Sequence, residues 1–223
     1  MEQLNKEGLS HLKEGRFEEA AALFNQVITQ SPNDPTGYVN LGNLLIAIGE
    51  SEKAVPFFQK ALECDPQYSP AFYALGNALY TLDKFEEAIH CFQKAETLGL
   101  QDGDVHFMLG MSYEQLNQPL MALVHFQRAV ELKEEDTVAR FQYGLSLAKT
   151  GHVELAIEMF SQVVQEDPRH ADAYYNLGVA FSAQEAYEQA EESFKKALTI
   201  QKDHLLASHG LKQVEALRRG HLK

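Results

Sequence analysis

Apolar residues in this chain recur at helical spacing in short blocks, and the blocks themselves recur. Between residues 35 and 68, Tyr38, Leu41 and Leu45 fall on one face of a helix, and Ala54, Phe58 and Ala61 fall on one face of a second. Gly49 lies between them and supplies a residue able to turn left-handed past a helix end. Asp65 and Pro66 close the block, because the residue before a proline avoids helical geometry. The pattern predicts helix, turn, helix.

The same block repeats along the chain. Glycine stands at Gly8, Gly42, Gly76, Gly110, Gly144 and Gly178, each 34 residues after the last. Alanine follows the same step at Ala20, Ala54, Ala88, Ala122, Ala156 and Ala190, and phenylalanine at Phe24, Phe58, Phe92, Phe126, Phe160 and Phe194. A period of this length marks a helical-repeat array. The units run 1–34, 35–68, 69–102, 103–136, 137–170 and 171–204, with a tail at 205–223. A glycine inside a helix costs about 1 kcal/mol relative to alanine. Its presence in every unit implies that a side chain there would clash. Small residues let two helices cross closely, phenylalanine fills the space between units, and each hairpin is stable only against its neighbours.

The turns fit this reading. Gly15, Gly49, Asp83, Asn117 and Gly151 share one repeat position and suit a turn, whereas Glu185 at the same position predicts a different last turn. Pro119 falls in the first turn of its helix, where proline is tolerated; Pro56 lies deeper and predicts a kink. Leu100, Glu134 and Lys202 replace the closing proline. The tail reads as a capping helix, with Leu206, Leu211, Val214 and Leu217 packed and Lys212, Gln213, Glu215, Arg218 and Arg219 facing out.

This pattern resembles the tetratricopeptide-repeat (TPR) family, on Tyr38, Leu41, Gly42, Leu45, Ala54, Phe58, Ala61 and Pro66 and their equivalents over residues 1–204. The whole chain is also similar to small stand-alone bacterial repeat proteins of the YrrB type. The resemblance implies an all-α, right-handed α-solenoid of six 34-residue helix-turn-helix repeats with a C-terminal capping helix. It further implies protein–protein recognition on the concave face made by the first helices, lined by repeat positions 2, 5, 6, 9, 12 and 13.

On that geometry, position 5 gives an aromatic stripe of Tyr73, Phe107, Phe141 and Tyr175, and positions 6 and 9 add Asn40, Asn43, Asn77, Met108, Met111, Gln142 and Asn176. Side-chain amides both donate and accept, so they can pair with an extended peptide backbone. Aromatics and methionines hold apolar side chains adaptably. The same aromatics can also pack between neighbouring first helices, and the asparagines can serve structural hydrogen bonds. Arg140 stands where packing calls for a large apolar residue, as does His106. A guanidinium keeps its charge, so a buried Arg140 needs an acidic partner, Asp136, Asp167, Asp172 or a ligand carboxylate, unless it snorkels to water. The ligand alternative expects Arg140→Ala to weaken binding without unfolding the array. The lysine-rich clamp with which some TPR proteins grip an acidic chaperone tail is absent, since no position 5 is lysine.

Charge narrows the partners. There are 19 lysines and arginines against 32 acidic residues, a formal net charge of −13. Affinity for nucleic acid and for anionic membranes comes largely from Lys and Arg, so neither partner is expected, and an RNA-binding helical repeat is disfavoured. Two cysteines, Cys64 and Cys91, make no disulfide framework. No basic-then-apolar leader opens the chain and no run of ~18 apolar residues occurs, which leads to the expectation of a cytoplasmic protein. The nine histidines are scattered, with His170 and His204 at repeat-closing loops, and no metal, phosphate-loop or dinucleotide motif is present. The sequence therefore predicts a non-catalytic adaptor without cofactor or metal that binds a protein or peptide. A tethering or regulatory subunit of an enzyme complex is the alternative. A monomer is expected, with self-association through the basic tail end (Arg218, Arg219, Lys223) as the other option.

Overall fold

The computed structural model describes residues 2–221, with side-chain surroundings given through residue 219. Those residues form thirteen α-helices and no strand. The first helices of the hairpins are α1 (Glu2–Lys13), α3 (Pro35–Ala47), α5 (Ser69–Thr81), α7 (Gly103–Gln115), α9 (Thr137–Lys149) and α11 (Ala171–Ala183). The second helices are α2 (Phe17–Gln30), α4 (Ser51–Cys64), α6 (Phe85–Thr97), α8 (Pro119–Leu132), α10 (Val153–Glu166) and α12 (Tyr187–Ile200), and α13 (Leu205–His221) closes the chain. Two compact units divide these helices, Met1–Asn117 with α1–α7 and Gln118–Lys223 with α8–α13.

In both units the core is a repeated set. Phe24, Phe58, Phe92, Phe126, Phe160 and Phe194 are all at most 2% exposed, and the matched alanines are fully buried. The helical glycines face these rings. A Cβ on Gly42 would stand 2.5 Å from Phe58 Cε1, and equivalent approaches of 2.5–2.7 Å occur at Gly8, Gly76, Gly144 and Gly178. Carbon atoms prefer ~3.5–4.0 Å, so only glycine fits. The clusters run from one hairpin into the next: Ala20 and Phe24 on α2 pack with Leu41 and Leu44 on α3, and Phe160 on α10 packs with Leu177 on α11. This is nearest-neighbour stabilisation seen at the level of side chains.

Helix ends follow the period as well. Repeat position 34 caps the next first helix: Asp34 accepts from Thr36 N (2.9 Å), Asp102 from Asp104 N (3.1 Å) and Asp136 from Ala139 N (2.9 Å). His170 and His204 do the same through Nδ1, from Ala173 N at 3.1 Å and Ala207 N at 3.2 Å. At these repeat-closing positions both histidines are helix caps with a defined partner. The inner turns all place one residue left-handed, and Glu185 does so at φ 60°, like Asp83 at 57° and Asn117 at 55°. The expected difference at the last turn is thus absent: Ala186 N bonds back to Phe181 O at 2.9 Å, as Glu50 N does to Leu45 O at 2.8 Å. That closure forces the geometry whatever the residue.

Pro56 lies inside α4, at an exposed position, and the helix continues on both sides of it. One further expectation changes. In α13 the packed face is Ala207, Leu211 and Val214, whereas Leu206 and Leu217 are 61% and 47% exposed. Arg218 does not simply face out. It reaches back to α12, pairing with Glu191 and with Glu188 at 3.1 Å. Lys195 and Arg218 together hold the Glu191 carboxyl below its usual range. Arg219 lies near Glu215 of its own helix at 4.0 Å, so Arg218 and Arg219 of the basic tail end both have acidic neighbours within the chain; Lys223 lies outside the described residues.

Candidate functional site

Consecutive first helices touch within each unit: α1 with α3, α3 with α5 and α5 with α7 in the first, α9 with α11 and α11 with α13 in the second. Their shared surface carries the residues singled out from the sequence, and the structure sorts these by what each is already doing.

In the first unit, Asn40 is buried and donates from Nδ2 to Asn5 Oδ1 at 2.9 Å, tying α3 to α1. Its amide serves the fold. Asn43 is half-buried on α3 and Asn77 half-buried on α5, and Asn77 Oδ1 is shut off from solvent with no hydrogen-bond partner. A buried acceptor left unpaired costs about 1–3 kcal/mol, so Asn77 is held at a price to the fold. Tyr73 rests on Phe92 with ring centroids 5.8 Å apart. Phe107, Met108 and Met111 are half-buried along α7.

In the second unit the aromatics occupy a repeated slot. Phe141 sits between Phe160 at 5.8 Å and His170 at 4.6 Å, and Tyr175 between Phe194 at 6.0 Å and His204 at 5.1 Å. Each ring thus packs against the phenylalanine of its own repeat and the histidine that caps the next helix. All four position-5 rings nevertheless remain half-buried, with part of each exposed. His204 is pinned twice, since Nδ1 accepts from Ala207 N and Nε2 lies 3.2 Å from Asp172 Oδ1. With Nδ1 accepting, Nε2 carries the proton and donates to Asp172. Gln142 is half-buried and holds no hydrogen bond, whereas Asn176 Nδ2 donates to the Asp172 carbonyl at 2.8 Å and leaves its oxygen open.

Arg140 is 6% exposed and turned into the unit, where it pairs with Glu166 and donates to the Glu134 carbonyl. The acidic partner is Glu166, not one of the three aspartates. Thr137 Oγ1 steadies the same carboxylate at 2.8 Å. The second repeat explains the substitution. There Tyr38 donates to the Pro32 carbonyl at 3.0 Å, and Cys64 approaches the same oxygen at 3.5 Å. Arg140 and Glu166 stand at the positions of Tyr38 and Cys64, and Glu134 at that of Pro32. An ion pair replaces a tyrosine–cysteine pair in one structural slot. His106, at the same position as Arg140, is likewise buried, with Nε2 3.6 Å from Glu96.

One feature of the surface lies in a part of the chain assigned only to capping. A cleft opens between α11 and α13, with Phe194 and Val214 as its floor and Tyr175, Val179, Leu206, His209, Gln213 and Leu217 along its sides. Gly210 deepens it, since a Cβ there would meet Phe194 Cζ at 2.6 Å. Counting α13 as a seventh first helix puts Leu206, His209, Gln213 and Leu217 at positions 2, 5, 9 and 13, the positions expected to line the groove. The signal was present in the sequence for anyone extending the period past residue 204. No group of three or more metal-ligating side chains is found among the described residues, and no helix among them is long and apolar enough to cross a membrane.

The tetratricopeptide-repeat family profile matches residues 5–69 and 141–204, and two further tetratricopeptide-repeat profiles match 57–90 and 103–136. The chain belongs to the tetratricopeptide-repeat family, whose members bind protein or peptide partners. Among solved structures it is similar to YrrB, described as a TPR protein with an unusual peptide-binding site, at 43% identity and a TM-score of 0.78 over 85% of this chain and 97% of that one. It is similar in fold to PilF of Pseudomonas aeruginosa, at 18% identity and a TM-score of 0.82 over 96% of both chains. MamA is similar in fold at 23% identity and a TM-score of 0.68, over 73% of this chain and 95% of that one. No curated protein sequence matches the chain.

Proposed function

We propose that this chain is a non-catalytic adaptor that binds an extended protein segment along its first-helix surfaces and seats an apolar side chain of that segment between α11 and α13. The α11–α13 cleft is the observation that carries the reading. Two leucines at its edge, Leu206 and Leu217, face solvent where packing gives no reason for them, over an aromatic floor. Tyr175 at the wall offers a rigid anchoring surface, and Asn176 and Gln142 lie on the same face with hydrogen-bonding capacity unspent. The first unit presents a surface of the same kind on its own, where Asn43 and the Nδ2 of Asn77 can serve a peptide backbone and Tyr73, Phe107, Met108 and Met111 can give apolar contact. Asn40 and Arg140 are occupied in holding the fold and take no part. YrrB, at 43% identity, is itself described as binding peptide, which favours this reading over a tethering subunit recognised through some other face.

Peptide-display selection against the immobilised chain, followed by anisotropy titration of the selected peptides, tests it. L206Q/L217Q should weaken them at least tenfold with an unchanged melting curve, since both side chains are solvent-facing. Selected peptides that bind this variant and Tyr175→Ala as tightly as the wild type would refute it.

A further inference from the structure

One helical glycine stands outside the series that packs the hairpins. Gly178 on α11 takes the Phe194 ring of its own repeat, as Gly8, Gly42, Gly76 and Gly144 do in theirs. Gly210 meets the same ring from the next helix, α13, where a Cβ would stand 2.6 Å from Phe194 Cζ. Counted as repeat position 6, Gly210 has Lys6, Asn40, Ala74, Met108, Gln142 and Asn176 as counterparts, a side chain in every case. Glycine is the poorest helix former after proline, so α13 itself gives no reason for it. In the slot before, Asn176 fills this position and ties its amide to the Asp172 carbonyl at 2.8 Å. At Gly210 no side chain stands beside the ring, and Phe194 becomes part of the lining of the α11–α13 cleft.

The space left there has the size and the lining for an aromatic guest. Its volume is about 170 Å³. An apolar cavity of ~150 Å³ holds a benzene molecule. Three of the lining residues carry rings. Tyr175 and Phe194 lie 6.0 Å apart at a tilt of 43°, and His209 continues the position-5 ring series of Tyr73, Phe107, Phe141 and Tyr175. Tyr175 also packs on His204 at 5.1 Å, so this wall is held before any guest arrives. Rings meeting edge-on or offset gain affinity beyond the area they bury. An aliphatic guest fills the same volume without that gain.

We infer that the cleft selects a flat aromatic side chain, phenylalanine or tyrosine, and that Gly210 sets the selectivity, a preference that rests on the groove reading for the segment carrying the ring. The full chain, isotope-labelled in its valine and leucine methyl groups, is titrated with N-acetyl-phenylalaninamide and with N-acetyl-leucinamide. The phenylalanine amide should move the methyls of Val179, Leu206, Val214 and Leu217 and bind more than twofold tighter than the leucine amide. Val179→Trp fills the cleft from a position 43% exposed and should silence the other three residues with an unchanged melting curve. Gly210→Ala should bring the ratio of the two affinities to about one, and a partly unfolded fraction cannot mimic this because it lowers both alike. A leucine amide that binds within twofold of the phenylalanine amide, or tighter, overturns the inference. So does silence with both amides, or a Gly210→Ala chain that keeps the preference. The groove reading fails separately: peptides selected by display would then ignore L206Q/L217Q while the phenylalanine amide still moves the cleft methyls.

Discussion

Gly42→Ala sets two known effects against each other, and the structure decides the sign. Alanine inside a helix is favoured over glycine by about 1 kcal/mol. The new Cβ, however, would lie 2.5, 2.7 and 3.0 Å from three atoms of the Phe58 ring. That is roughly 1 Å inside the usual carbon–carbon separation. Phe58 is fully buried, and so are Ala54 and Ala61 on the same helix, so the ring has no solvent to retreat into. Overpacking of this kind costs about 1–3 kcal/mol, and three overlapping atoms argue for the upper end. The expected net loss is about 2 kcal/mol. Chemical denaturation followed by circular dichroism reads it, and the transition should be followed for partial unfolding, because repeat arrays do not always unfold as one unit. Gly42→Ala with Phe58→Leu should be less destabilised than the two single effects summed, by about 1 kcal/mol or more, since the ring that clashes is gone. A Gly42→Ala protein as stable as wild type, or more so, would show that helix propensity outweighs the clash and that the glycine series has another cause.

Other outcomes follow from particular contacts. Glu185→Gly should stabilise by about 0.5–1 kcal/mol, because a left-handed non-glycine costs ~1–2 kcal/mol and glycine returns part of that as chain entropy; a melting temperature at or below wild type contradicts this. Arg140→Ala should destabilise by about 2 kcal/mol, leaving the Glu134 carbonyl and part of Glu166 unpaired, while peptide affinity measured on the folded fraction stays unchanged. Arg140→Tyr with Glu166→Cys, the pair used by the second repeat, should recover most of that loss in a double-mutant cycle. Burial pushes the Cys91 thiol up from 9.0 to about 11, helped by Glu87. Alkylation of Cys91 at pH 8 should therefore run about 100-fold slower than that of an exposed peptide thiol, because the thiolate is the nucleophile. The folded chain also holds that proton where the unfolded chain has released it. Stability contributed by the neutral thiol is thus lost as pH rises from 9 to 11, which an alkaline denaturation series compared with Cys91→Ala would show.

How much of this was legible in the sequence depends on whether a residue obeys the period. Gly42, Ala54 and Phe58 mark the packing directly, because one contact repeated six times leaves one pattern. Glu185 was misjudged for the opposite reason: turn preference is a local property, whereas the turn is closed by a backbone bond that the flanking helices impose. Leu206 and Leu217 were assigned to packing because hydrophobicity alone does not tell a covered face from an open one on a helix with a neighbour on one side only. Ala207, Leu211 and Val214 do the packing there, with Gly210 lying against Phe194. Arg140 stood out correctly, but its partner Glu166 lies 26 residues away at a position where no other repeat has an acidic residue. Reading the two exceptions as a pair would have found the bridge. The histidine caps left no trace, since His170 and His204 replace aspartate in a role that histidine rarely takes.

The most direct measurement of the binding claim is an NMR titration of the isotope-labelled chain with a peptide from the display selection. Shifts should gather on Asn43, Asn77, Gln142, Tyr175, Val179, Leu206 and Leu217, with the buried Arg140 and the glutamate-bearing sides of α10 and α12 undisturbed. Shifts concentrated on those glutamate-bearing sides, with the first helices and α13 silent, would contradict it.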